Sequence, residues 1–217
     1  MKRIFLMASI MTCSVNVFAQ HNVGAITVEP KAGLNIANIT DARDSKLRIG
    51  MAFGAELRYQ FKERLGFSAG IIYSQQGAKY EESEHFYWFD EEQRVDYLNV
   101  PIMVNYYVLK GLAVKGGLQP AFKVYSKYKG NGKGYIDFIE YLQLLKLKNN
   151  TKVFDFSIPI GLSYEYKNFI IEGRNNIGLT KMMKHDYEFQ YGCIVDEIKR
   201  SSCNRVLQLT LGYKFKL

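Results

Sequence analysis

The residues best suited to catalysis in this sequence are its three histidines, His21, His85 and His185. His185 stands directly before Asp186, and a His–Asp pair beside a serine can activate a nucleophile or a water molecule for hydrolysis. No nucleophile accompanies them at a recognisable spacing, and there is no zinc-ligand spacing, Cys–His arrangement or glycine-rich phosphate loop. We therefore predict no catalytic residue, no metal site and no cofactor. A hydrolase that acts on lipid or peptide through loop His and Asp residues is the alternative.

A second group with chemical potential lies in residues 81–92, where acidic residues flank aromatic ones. A cationic or glycan ligand could bind to His85, Tyr87, Trp88 and Asp90, and the carboxylates of the segment could bind Ca²⁺. We take these four as the candidate ligand-binding residues. The alternative is that the segment extends a hairpin beyond the body of the sheet with its acids hydrated, as exposed loops often do.

The N-terminal segment predicts export. Residues 1–19 begin with Lys2 and Arg3, continue with an apolar run and end with small or apolar residues before Gln20, which is the pattern of a secretory signal peptide. Residues 20–217 then form one domain. Export excludes nucleic acid as the partner that a formal net charge of +8 would otherwise suggest. In an oxidising compartment Cys193 and Cys203 could form a disulfide, and two thiols are the alternative.

Alternation of apolar and polar residues dominates the rest of the sequence and predicts β-strands. It is clearest at residues 205–217, where six apolar residues from Leu207 to Leu217 alternate with polar residues or glycine. An apolar spacing of three and four within residues 126–150 predicts a short helix inside a long loop. The predicted strands are residues 26–39, 48–61, 65–76, 98–108, 112–124, 154–166, 169–179 and 205–217.

The connections between these strands alternate in length, which predicts an all-β, eight-stranded antiparallel up-and-down transmembrane barrel. Tight turns follow the second, fourth and sixth strands, and long loops follow the odd-numbered ones, as in outer-membrane barrels with short periplasmic turns and long extracellular loops. A soluble secreted barrel of the lipocalin type is the alternative, because its strands show the same alternation with the apolar face directed inward. Aromatic residues near the tight turns favour the membrane, where they would form a girdle: Tyr59, Phe61, Phe67, Tyr106, Tyr164, Tyr166, Phe169, Tyr213 and Phe215.

The polar face of the strands is predicted to line a narrow lumen. Eight strands leave room only for side chains, so we expect no open pore, and charges placed there must pair. The predicted interior charges are Glu56, Arg58, Lys115, Asp155, Glu165, Glu172 and Arg174. The last strand is predicted to close the barrel on the first, and its residues Leu211, Tyr213, Phe215 and Leu217 to be read by the barrel-assembly machinery.

The order of several short motifs resembles the PorT-like outer-membrane β-barrel proteins of Bacteroidetes. The motifs lie at residues 33–38, 73–79, 97–101, 116–120 and 172–179, together with Asp155 and Gly161. The resemblance implies an eight-stranded barrel that resides in the outer membrane. We predict that the protein contacts outer-membrane lipid and acts through its extracellular loops as a structural, binding or assembly- or secretion-associated component. The resemblance implies no particular chemistry and names neither an extracellular nor a periplasmic partner. The chain departs from the usual pattern of closing strands, which end in an aromatic residue, by ending in Leu217.

Overall fold

The computed structural model describes residues 23–39, 45–84, 87–132, 152–181, 186–190, 193–198 and 203–217. Antiparallel strands account for most of this part of the chain. They are β1 (Ile26–Ile39), β2 (Ser45–Lys46), β3 (Arg48–Lys62), β4 (Leu65–Glu84), β5 (Tyr87–Asn99), β6 (Ile102–Leu109), β7 (Leu112–Gly132), β8 (Phe154–Tyr166), β9 (Phe169–Lys181), β10 (Asp186–Gln190), β11 (Cys193–Ile198), β12 (Cys203–Tyr213) and β13 (Phe215–Lys216).

Eight barrel strands follow one another in sequence order and close into a barrel. They are β1, β3, β4, β5 with β6, β7, β8, β9, and β12 with β13, and β12 pairs with β1 to close the sheet. Leu209 stands opposite Leu34 in this closing pair, and Phe215 stands opposite Val28 where β13 continues it. The predicted eight-stranded antiparallel barrel, closed by the last strand on the first, is therefore confirmed.

The fourth barrel strand is interrupted but keeps its register. Val100 and Pro101 separate β5 from β6, because proline has no N–H for the ladder. On β4, Ile72 stands opposite Asn99 and Ala69 opposite Ile102, so no residue is gained or lost across the break. The Val100 N–H still donates to the carbonyl of Pro120 at 2.9 Å. The proline thus weakens the ladder locally without ending the strand.

The two rims of the barrel differ. Short turns at residues 63–64, 110–111 and 167–168 lie at one end, which we call the turn rim, and the connections that follow β1, β4, β7 and β9 lie at the other, the loop rim. Gly111 at φ 83° and Lys167 at φ 54° adopt the left-handed conformation that tight turns use. The tight turns predicted after the second, fourth and sixth strands are confirmed. Among the described residues, no helix has the length and hydropathy needed to cross a membrane.

At the loop rim, three strands continue further than the alternation predicts. Glu84 pairs with Tyr87 and Phe89 with Gly132, so β4, β5 and β7 form a three-stranded extension at residues 78–84, 87–93 and 128–132. The prediction that residues 126–132 leave the sheet is wrong, because they remain hydrogen-bonded to β5. The rest of the predicted helix falls outside the described residues. Within the polar stretch predicted as a loop after β9, β10 and β11 form a separate hairpin.

The barrel wall is apolar outside and polar inside. Leu57 is 54% exposed, whereas the adjacent Glu56 is 1% exposed, and this contrast repeats along the strands. A soluble transport barrel would show the opposite arrangement, with apolar side chains around its cavity. Small residues let neighbouring strands approach closely on the inner side. A Cβ atom added to Gly117 would lie 2.0 Å from the carbonyl oxygen of Ile102.

Candidate functional site: the interior ion pairs and the outer surface

Five charged residues meet in the middle of the lumen and form what we call the central cluster: Lys31, Glu56, Lys115, Glu172 and Arg174. The Lys31 Nζ lies 2.9 Å from an oxygen of each of the two glutamates. The Lys115 Nζ lies 2.7 Å from Glu172 and 3.4 Å from Glu56. Arg174 Nη1 reaches Glu56 at 3.1 Å. Because these residues come from β1, β3, β7 and β9, the cluster bridges strands on different sides of the lumen.

A second group, the rim cluster, lies toward the turn rim and consists of Glu29, Arg58, Tyr107, Glu165 and Lys214. Arg58 Nη2 lies 2.9 Å from Glu29, and its Nη1 donates to Glu165 and to the Tyr107 hydroxyl. The Tyr107 hydroxyl donates to Glu165 at 2.8 Å, and Lys214 Nζ reaches the other Glu165 oxygen at 2.5 Å. The residues belong to β1, β3, β6, β8 and the segment between β12 and β13, so this cluster also crosses the lumen.

The two clusters contain four carboxylates and five cations, all of them buried. Removing charges from water is costly, and only close pairing with good hydrogen bonds offsets that cost. The paired side chains of the two clusters therefore occupy the lumen. Toward the loop rim the interior is mainly polar and carries the charges of Arg48 and Asp155. There the Asn35 amide donates to Ser74 Oγ at 2.8 Å and that of Gln119 to Ser157 Oγ at 3.2 Å.

The structure places all seven predicted interior charges inside the barrel. Six belong to the two clusters. Asp155 is buried apart from them, nearer the loop rim, where its carboxylate accepts hydrogen bonds from the Phe156 N–H at 2.8 Å and from the Thr180 hydroxyl. The prediction missed Glu29, Lys31, Tyr107 and Lys214. The spacing of Glu29 and Lys31 around Pro30 was the available signal, since alternate residues of a strand share one face.

The candidate ligand-binding residues lie in and beside the three-stranded extension. Tyr87, Trp88 and Asp90 belong to β5 and pair with Glu84, Ser83 and Glu81 of β4. This matches the alternative of an extended hairpin. His85 falls outside the described residues, and ligand binding stays a prediction.

The other residues with chemical potential are dispersed. His21 and His185 fall outside the described residues, and Asp186 begins β10. Cys193 begins β11 and Cys203 begins β12, and their disulfide stays a prediction. In the described part of the chain, no three His, Cys, Asp or Glu residues are grouped as metal ligands.

The predicted assembly residues lie on the outer face of the closing strand. Leu211 and Phe215 are exposed, and Tyr213 is half-buried between aromatic neighbours, with ring centroids 5.3 Å from Phe169 and 4.8 Å from Phe215. The N–H of Leu217 donates to the carbonyl of Ile26 at 3.0 Å. The other aromatic residues predicted near the turn rim are exposed there as well, on neighbouring strands: Tyr59, Phe61, Phe67, Tyr106, Tyr164, Tyr166 and Phe169.

Comparisons with known proteins found similar solved structures and a matching family model. Similar solved structures include Ail of Yersinia pestis (14% identity, 89% of this chain and 100% of that chain, TM-score 0.45), neisserial surface protein A (12%, 88% and 99%, 0.45) and outer membrane protein W of E. coli (12%, 90% and 100%, 0.38). No curated protein sequence matches the chain. A family model described as outer membrane protein beta-barrel domain matches residues 18–184. Since this match spans more than half of the sequence, the chain belongs to the outer-membrane protein β-barrel domain family.

Proposed function

We propose that this protein is a closed outer-membrane barrel that acts through its loop-rim surface as a structural or binding component, and that it does not conduct. The observation that carries the proposal is the pair of ion clusters across the lumen. The central cluster joins β1, β3, β7 and β9, and the rim cluster lies between it and the turn rim. A solute would have to separate buried ion pairs at two levels, each at a high cost in free energy.

The extracellular side offers the surfaces for such a role. The three-stranded extension rises from the barrel wall, and the β10–β11 hairpin lies in the connection between β9 and β12. Loops and hairpins held by a rigid scaffold are common positions for binding residues. In this proposal His85, Tyr87, Trp88 and Asp90 form the contact site for an extracellular protein or a glycan, and a periplasmic protein partner would bind at the turn rim instead.

The same proposal includes membership of a more specific group, export by a signal peptide and recognition by the assembly machinery. The motifs at residues 33–38, 73–79 and 97–101 support membership of the PorT-like group, and residues 1–19 support export through a signal peptide. The outward-facing residues of the closing strand support recognition by the barrel-assembly machinery. An assembly or secretion-associated role is the form of activity that this group suggests.

The proposal assigns the chain no catalytic activity. Purified protein should turn over neither lipid nor peptide substrates, and the H85A and H185A variants should match the parent. A hydrolytic activity that is lost in H185A or H85A but kept in the turn-rim control K110Q would establish the hydrolase alternative.

Conductance is the decisive test. The folded protein, identified by its faster migration on a gel before boiling, is inserted into planar bilayers and held at a fixed potential. We expect no large, stable single-channel steps. Stable steps from the folded fraction would overturn the proposal. Retention in outer-membrane fractions after carbonate washing checks its membrane placement independently.

A further inference from the structure

An ion pair lies on the outer wall of the barrel, where apolar residues prevail. Asp96 stands opposite Tyr125 of β7, directly before a shift in the β5–β7 register, and its side chain is fully buried although it faces outward beside Tyr73. Tyr73 donates its hydroxyl to Asp96 at 2.5 Å, and its ring packs against the exposed ring of Phe53 at 5.0 Å. A carboxylate covered on the lipid-facing side needs a strong partner, because an unpaired buried charge is costly.

Arg94 is that partner. Its Nε lies 2.9 Å and 3.1 Å from the two Asp96 oxygens, and its Nη2 lies 2.7 Å from one of them. The guanidinium also lies over the ring of Tyr125 at 5.4 Å. These bonds use the Nε and Nη2 atoms of the guanidinium. The Arg94 side chain is 37% exposed, while that of Asp96 is 1% exposed. Asp96 therefore fixes an arginine that can still bind an anion.

Three lysines extend this positive charge across neighbouring strands. Lys127 of β7 stands opposite Arg94, and Lys79 of β4 lies diagonally from Arg94, since Arg94 stands opposite Gly77. Lys46 of β2 stands opposite Lys79. All three lysines are exposed, and neither Lys79 nor Lys127 has an ion-pair partner among the residues whose side chains the structure describes. We call Lys46, Lys79, Arg94 and Lys127 the basic patch. Like charges placed side by side on a sheet repel one another unless an anion lies between them.

The position of the patch matches a membrane interface. Phe122 and Val124 of β7 and Phe53 of β3, which is adjacent to β4, are about half exposed, on the side of the patch nearer the barrel centre. An amphipathic lipid presents the matching order, with acyl chains against the apolar wall and a charged headgroup above it. Arginine with lysine is a common combination for phosphate, because the guanidinium binds two oxygens at once and the ammonium adds charge.

We propose that the basic patch binds the phosphate of a phosphorylated lipid in the outer leaflet, with the acyl chains lying along the wall below it. The proposal relies on the loop rim facing outward, as in the proposed function, but not on the lumen being closed. Glu92 stands opposite Lys79 in the strand register. Its neutralisation should strengthen lipid binding.

The test uses the full-length folded protein in detergent and native mass spectrometry. The two probes are diphosphoryl lipid A and the same lipid with its phosphates removed. We expect the phosphorylated lipid to bind and the dephosphorylated one to bind at least about tenfold more weakly. Equal binding of the two probes would overturn the proposal, because acyl-chain contacts alone would then explain retention.

Variants locate the site. K79Q/K127Q should weaken binding of diphosphoryl lipid A about tenfold, while the control K62Q/K110Q, which removes two exposed cations at the turn rim, should bind like the parent. R94K keeps the positive charge but loses the bidentate geometry of the guanidinium, so it should also bind diphosphoryl lipid A more weakly. E92Q should bind this lipid more tightly. Gel mobility before boiling confirms that each variant is folded. Equal losses in the two double variants, or full binding by R94K, would contradict the proposed site.

Discussion

The Nζ atom of Lys115 lies 2.7 Å from Glu172 Oε2, and both side chains are fully buried inside the barrel. Lys115 belongs to β7 and Glu172 to β9, and β8 lies between these strands. This ion pair therefore joins two strands that are not adjacent in the sheet, and it does so through the interior of the barrel. Glu172 also binds Lys31 of β1, on the other side of β9, so one carboxylate connects three barrel strands.

Removing the Lys115 charge should destabilise the barrel strongly. K115M keeps most of the side-chain volume and leaves Glu56 and Glu172 with fewer cations, which costs about 3–5 kcal/mol for a broken buried pair. The free energy of unfolding by urea in lipid vesicles measures this. The control K110M alters an exposed lysine in the neighbouring turn and should change stability by less than about 0.5 kcal/mol. The double variant K115M/E172Q should recover part of the loss, and no recovery would indicate that the pair is not coupled.

Two adjacent glycines of β7 should respond very differently to an added methyl group. In G117A the new Cβ would lie 2.0 Å from the Ile102 carbonyl oxygen, so β6 and β7 must separate, at a cost of about 1–3 kcal/mol. In G116A the Cβ would have no atom within 4 Å. The fraction of protein that migrates as the folded form before boiling, measured over a urea series, compares the two. Equal midpoints would show that the strand spacing at Gly117 is not limiting.

The sequence predicts the barrel because lipid on one side and a narrow lumen on the other impose alternation on every strand. Above the membrane that constraint ends, which is why the continuation of β7 through residues 125–132 and the β10–β11 hairpin were not predicted. Interior charges such as Glu56 and Arg174 could be assigned from alternation alone. Their partners could not, because pairing across the lumen depends on the tilt and register of strands that are distant in sequence.

The hydroxyl group of Tyr73 should contribute to stability from the outer wall. Y73F removes the hydrogen bond from the Tyr73 hydroxyl to Asp96 and leaves that carboxylate bound to Arg94, which should cost about 1–3 kcal/mol. The control Y106F changes an exposed tyrosine near the turn rim and should have an effect within about 0.5 kcal/mol. Unfolding in vesicles provides the measurement. Equal effects of the two substitutions would argue against a stabilising role for the Tyr73–Asp96 bond.

The closing strand offers the last prediction, which separates an assembly signal from a general need for interfacial aromatics. Phe215 is 53% exposed and Phe61 is 57% exposed, and both lie near the turn rim. If the assembly machinery reads the closing strand, F215A should lower the amount of folded barrel in outer-membrane fractions several-fold, while F61A should leave it close to the parent. L217F, which supplies the terminal aromatic residue that such strands usually carry, should raise it. Similar losses in F215A and F61A would show that both act only as membrane anchors, since aromatic side chains favour the interface wherever they are placed.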